Sequence, residues 1–138
     1  MLTTGLVALA VSLPVYAFAL SDLVVHNKTD QYSTSKLNGG RCSSETGEVT
    51  QPKENPHTIS GYKIAAACMG HTSDCVAEIY MTNNCDKSGG QSIAIAHFNA
   101  LKGTLISNAP GPNTEYKLKV TSNNGLDFTL CKVSEPGC

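Results

Sequence analysis

The sequence predicts an all-β chain: an antiparallel β-sandwich or barrel of about seven to eight short strands, stapled by disulfides. Three observations carry this expectation. Short apolar runs are separated by turns rich in Gly, Pro and Asn. No stretch of about three helical turns keeps a 3.6-residue apolar period. Six cysteines, an even number, follow an apolar leader.

The chain opens MLTTGLVALAVSLPVYAFALSD, with no Lys, Arg, Asp or Glu before Asp22. The apolar stretch from Leu6 to Leu13 is followed by Pro14 and then by Ala17-Phe18-Ala19. Small residues at the first and third positions before a cut fit the pockets of a signal peptidase. Residues 1–19 therefore read as a signal peptide, and residues 20–138 as a single secreted β domain. The apolar run is shorter than the roughly 20 residues a membrane anchor needs.

LVVHN at 23–27 reads as the first strand, and a short second strand is expected near Ser33–Leu37. Residues 28–58 are otherwise polar and rich in turns, with Asn38-Gly39-Gly40, Pro52 and Pro56 as the punctuation. ISGYKIAAAC at 59–68 reads as a strand, because Gly61 and the shortness of the run argue against a helix. VAEIYMT at 76–82 alternates only roughly, as expected of a central strand covered on both faces. In SIAIAHF at 92–98, Ile93, Ile95 and His97 share one face, while Ala94, Ala96 and Phe98 share the other. A turn around Leu101–Gly103 leads to TLIS, and NAPGPN at 108–113 reads as an open turn. EYKLKVTS at 115–122 places Tyr116, Leu118 and Val120 inward. Asn124-Gly125 closes a hairpin with LDFTLC at 126–131, whose Leu126, Phe128 and Leu130 face the core.

All six cysteines lie behind the leader: Cys42, Cys68, Cys75, Cys85, Cys131 and Cys138. In an oxidising compartment they read as three disulfides, for which 15 pairings exist. A disulfide needs Cα atoms about 4.4–6.8 Å apart. Cys68 and Cys75 flank a loop between two strand-like runs, and hairpin ends sit at that separation, so this pair is favoured. Cys131 and Cys138 enclose the turn signal Pro136-Gly137, which leaves Cys42 for Cys85. The alternative is that CMGHTSDC at 68–75 is a metal site with His71 as a ligand. Its spacing matches no common zinc motif, and a fourth ligand would have to come from elsewhere.

Charge excludes more than it assigns. The net charge is −1, and no run of Lys or Arg forms a phosphate-tracking stripe, so neither nucleic acid nor an anionic membrane surface is an expected partner. There is no nucleophile elbow, no dinucleotide fingerprint and no phosphate loop, so no cofactor, metal or catalytic residue is assigned. The four histidines, His26, His57, His71 and His97, are the groups suited to acid–base work near neutral pH, but no two are spaced as a known motif. Glu45 and Glu48 sit in a polar loop and read as solvated charge. Asn27-Lys28-Thr29 fits an N-glycosylation sequon. Loops 38–58, 69–74 and 83–91, tied by disulfides, are candidates for a shared binding surface. Tyr32, Tyr62 and Tyr80 are its candidate contacts.

VVHNKTDQYSTSKLNGGRCSS, AACMGHTSDCVAEIYMTNNC and SIAIAHFN together resemble a group of uncharacterised small secreted proteins of Gram-negative bacteria, over roughly residues 22–108. The resemblance implies export and a compact cysteine-bridged β fold, and it carries no functional residue. The sequence thus points to an exported binding or interaction module. Its partner would be a protein or carbohydrate on a host or envelope surface. The alternative is a small secreted enzyme or inhibitor in which His57, His71 or His97 meets a carboxylate in a cleft.

Overall fold

The computed structural model describes residues 20–122 and 125–138, so the leader and its cleavage site lie outside the described residues. Eight strands form two sheets: β1 (Leu23–Asn27), β2 (Thr34–Leu37), β3 (His57–Ile59), β4 (Cys75–Tyr80), β5 (Ser92–Asn99), β6 (Thr104–Pro110), β7 (Tyr116–Ser122) and β8 (Leu126–Lys132). One sheet has the order β3-β1-β8-β7 and the other β2-β4-β5-β6. The arrangement is a sandwich, not a closed barrel.

The core lies between the two inner faces. Ala94, Ala96 and Phe98 of β5 meet Leu118 of β7 and Leu126, Phe128 and Leu130 of β8, all buried. Alternation along β5 and β8 makes this possible, because Ala94, Ala96 and Phe98 share one face of β5 and Leu126, Phe128 and Leu130 share one face of β8. β4 is central in its sheet, between β2 and β5. Val120, expected inward, is exposed beside a bulge in the β7–β8 pairing, where the register shifts between Val120 and Ser122.

Three expectations are corrected. First, the run at 59–68 is not a strand beyond Ile59. Gly61–Ala67 form a helix, α1, capped by Ser60, whose side chain accepts a hydrogen bond from the Tyr62 amide at 3.2 Å. Gly61 does not break the helix; it lets the N-terminal segment approach. A Cβ there would lie 2.7 Å from the Ser21 carbonyl oxygen, and the Gly61 amide donates to Asp22 at 2.9 Å. Gly61→Ala should therefore destabilise by about 1–3 kcal/mol in a denaturant melt, despite the better helix propensity of alanine. Second, the sheets are not wholly antiparallel. β1 pairs with β8 in parallel, from Leu23 opposite Leu126 to Asn27 opposite Leu130. Alternation marks which residues face a core, but it does not reveal strand direction. Third, β6 runs through Asn108 and Ala109 to Pro110, so NAPGPN is strand before it is turn.

Candidate binding cleft

The two long edges of the sandwich differ. At the β6/β7 edge the sheets are tied, since the Asn108 side-chain amide donates to the Leu118 carbonyl at 3.2 Å. At the β2/β3 edge no strand among the described residues closes the gap. The connection from β2 to β3 wraps over it instead, together with α1.

That connection is built locally. Asn38 and Gly39 both have positive φ, 51° and 66°, the geometry of a two-residue hairpin turn that Asn-Gly adopts readily. The chain folds back along β2, and the Ser35 amide donates to Ser43 Oγ at 3.0 Å. A short 3-10 helix follows over Ser43–Thr46, and Thr50 then pairs with Ser33. The Cys42–Cys85 disulfide anchors this segment to the loop that follows β4. Cys68–Cys75 anchors the end of α1 to the start of β4, so the pair joins a helix to a strand rather than the ends of a hairpin. Cys131–Cys138 holds the C-terminal tail against β8.

Asn27 secures the root of the connection. It is only 1% exposed. Its amide nitrogen donates to the carbonyls of Gln31 at 2.7 Å and Gln51 at 2.9 Å. Its carbonyl accepts from the Thr29 amide at 3.0 Å and the Thr29 hydroxyl at 2.8 Å. Every donor and acceptor of the side chain is satisfied. The sequon is therefore a structural knot: in the folded chain its nitrogen is buried and already engaged.

Between the sheets, under the 40–50 segment and α1, lies a cavity of about 480 Å³. That volume is within the range of small-molecule sites. Its deep wall is apolar: Leu37, Ile59, Ile64, Phe98, Leu118, Phe128 and Leu130. The lining residues that are exposed, Gly40, Arg41, Thr46, Lys63, Ala66 and Ala67, mark the mouth. Glu48 stands there as a bridge. Lys63 on α1 donates to it at 2.6 Å, and His57 on β3 lies 2.9 Å from its other oxygen. Burial pushes the Glu48 carboxyl up in pKa, but the Lys63 and His57 contacts outweigh this and hold it below the ordinary 4.5. A carboxylate with a depressed folded pKa adds stability that is present above 4.5 and lost as pH falls through the folded value. The melting-temperature gap between wild type and Glu48→Gln should thus be wide at neutral pH and narrow once the carboxyl is protonated. An equal gap at both pH values would contradict the bridge.

The histidines do not form a common site. His57 faces two carboxylates, with Nε2 2.9 Å from Glu48 and Nδ1 3.0 Å from Glu54. Both ring nitrogens are thus engaged by carboxylates of the same chain. Val25 lies opposite His57, which puts His26 on the neighbouring strand. His26 instead bonds Asn55 and lies 3.0 Å from Asp127. His97 meets Asp74 at 2.8 Å on an open surface, and no hydroxyl or thiol among the described residues joins them. His71 is exposed between two cysteines whose sulfurs are bonded to each other and so are not thiolate ligands. Among the described residues no group of three or more His, Cys, Asp and Glu is placed to hold a metal ion.

The three loops do not share one surface. Loops 69–74 and 83–91 lie at opposite ends of β4, a strand that spans roughly 17–20 Å. Of the tyrosines, Tyr80 is buried beside Cys42 and Cys85, and its hydroxyl donates to Glu78 at 2.7 Å. Burial first, then the Glu78 carboxylate, pushes the Tyr80 pKa far up. Tyr32 and Tyr62 are exposed and are not among the residues lining the cavity. Sequence reading missed Arg41, Glu48 and Lys63 as a group. Their only signal was a cluster of charges in a polar connection and on α1.

A disulfide-stapled sandwich of two four-stranded sheets, open along one edge onto an apolar cavity, defines a class of small exported β proteins. The family described as T2SS substrate NttC matches residues 1–132, and the chain belongs to that family. The crystal structure of the Legionella pneumophila type II secretion system substrate NttC has the same fold, with a TM-score of 0.62 and 21% sequence identity, over 80% of this chain and 96% of that one. No curated protein matches the chain. The family and the three disulfides make this a secreted, extracytoplasmic protein. No helix among the described residues is long and apolar enough to cross a membrane.

Proposed function

We propose that this chain is an exported binding module that works through the open edge of its sandwich. Residues 1–19 serve as the leader, and the folded domain leaves the cell as a type II secretion substrate, as the family description says of its members. The observation that carries the binding role is the cavity of about 480 Å³ between the sheets, apolar inside and rimmed by charge. A domain of this size gains stability by filling its core. Here two disulfides fix the flanks of the opening instead, which suits a preformed site for a small apolar ligand.

The test is a titration with the uncharged fluorophore N-phenylnaphthylamine. Saturable one-to-one binding is expected, and Ala96→Phe, which projects a ring into the cavity, should abolish it while the circular dichroism spectrum and cooperative melt persist. No binding by the wild type, or equal binding by a folded variant, would contradict the proposal.

A further inference from the structure

We infer that the ligand of this cavity is a single-chain amphiphile with an anionic carboxylate head, held by Arg41 at the mouth. The inference rests on the cavity being the binding site, as proposed above. Two features of the mouth select the head group.

The first is a cation without a hydrogen-bonded partner. Glu48, the acidic residue lining the mouth, is already engaged by Lys63 at 2.6 Å and His57 at 2.9 Å. Lys63 is matched by the same contact. The Arg41 guanidinium makes no hydrogen bond and no ion pair among the described residues. The nearby Glu45 carboxylate is bonded to Lys87 at 2.9 Å. Arg41 acts on the Glu45 carboxylate only through space, so its N–H donors stand without a hydrogen-bonded partner at the entrance. A planar guanidinium takes a carboxylate through two parallel hydrogen bonds, a geometry a neutral hydroxyl cannot match.

The second feature is the depth of apolar wall behind that charge. Leu37, Phe98, Leu118, Phe128 and Leu130 offer no polar side-chain group to a ligand. Away from the lining hydroxyls of Ser33, Thr34, Ser35, Ser43 and Thr50, a branched or hydroxyl-rich molecule such as a sugar would lose its hydration without replacement partners. An alkyl tail loses nothing and gains with each methylene buried. A cation at the rim and a long apolar interior together describe the complement of a fatty carboxylate.

The experiment compares chains of equal length and different heads. Octanoate, decanoate and dodecanoate, and the matching alcohols, are each used to displace N-phenylnaphthylamine from the purified domain below their micellar concentrations. Each added methylene should tighten binding about threefold to fourfold until the cavity is full. The carboxylates should bind about tenfold more tightly than the alcohols at low salt. Arg41→Gln, an exposed change, should erase that preference, while the alcohols keep their gain in affinity with each added methylene. Equal affinity for acids and alcohols, or a preference that survives Arg41→Gln, overturns the inference while the cavity reading stands. Failure of the fluorophore itself to bind overturns both.

Discussion

Replacing both Cys42 and Cys85 by Ala should lower the stability of the domain by about 4 kcal/mol, the largest loss among the three disulfides. The cross-link spans 43 positions, and a longer closed loop restricts the unfolded chain more. The seven-position spans of Cys68–Cys75 and Cys131–Cys138 give about 2.5 kcal/mol each by the same reasoning. The Cys42–Cys85 bond also does local work. Both sulfurs are buried against Tyr80, and Cys42 opens the segment that rims the cavity. Equilibrium unfolding in urea measures the loss. Fluorophore affinity measured well below the midpoint should fall as well, because the 40–50 segment is then held beside β2 by noncovalent contacts, among them Gly40–Leu37, Ser33–Thr50, Ser35–Ser43 and Lys36–Cys42. Unchanged stability would show that the rest of the fold constrains the loop.

Asn27→Asp should cost at least about 3 kcal/mol at neutral pH, although the two side chains have the same shape. The substitution removes two amide donors and sets a carboxylate oxygen against the carbonyls of Gln31 and Gln51. Burial forbids water from relieving the repulsion, since the site is 1% exposed. The new carboxyl should therefore favour its neutral form. Its folded pKa lies above its unfolded value, so the penalty grows as pH rises and shrinks under acid. Paired melts of wild type and variant at neutral and acidic pH should show the gap narrowing as pH falls. A gap that is small at neutral pH would mean that the 28–31 and 51 backbone rearranges freely around residue 27.

What the sequence made legible was what nearest neighbours determine. SIAIAHF and LDFTLC each became a strand, and Leu126, Phe128 and Leu130 of the second face the core as expected. β1 and β2 were marked by short apolar or β-branched runs between turn residues. The helix was not legible. Seven residues are too few for a periodic signal, and Gly61 is explained by Ser21 and Asp22, about forty positions away. The parallel β1–β8 pairing was hidden for a related reason: it joins the two ends of the chain.

The candidate site was less legible still. A cavity is a property of how two sheets and a wrapping segment fail to meet, and no single residue encodes it. Glu48 read as a solvated loop charge because its partners, His57 and Lys63, are nine and fifteen positions away on different elements. Arg41 stood next to a cysteine and a glycine pair with nothing to suggest that its guanidinium would stand at an entrance without a hydrogen-bonded partner. The Asn27-Lys28-Thr29 triplet matches a sequon, and it is also what a buried Asx turn uses.

The central claim is that the space between the sheets admits a ligand from the β2/β3 edge. Methyl-resolved NMR during titration with N-phenylnaphthylamine tests it most directly. The account predicts saturable shifts at Leu37, Ile59, Ile64 and Leu130, which line the cavity, with the exposed methyls of Leu101, Ile106 and Val133 unmoved. Shifts confined to those exposed methyls, or none at saturating fluorophore, would contradict it.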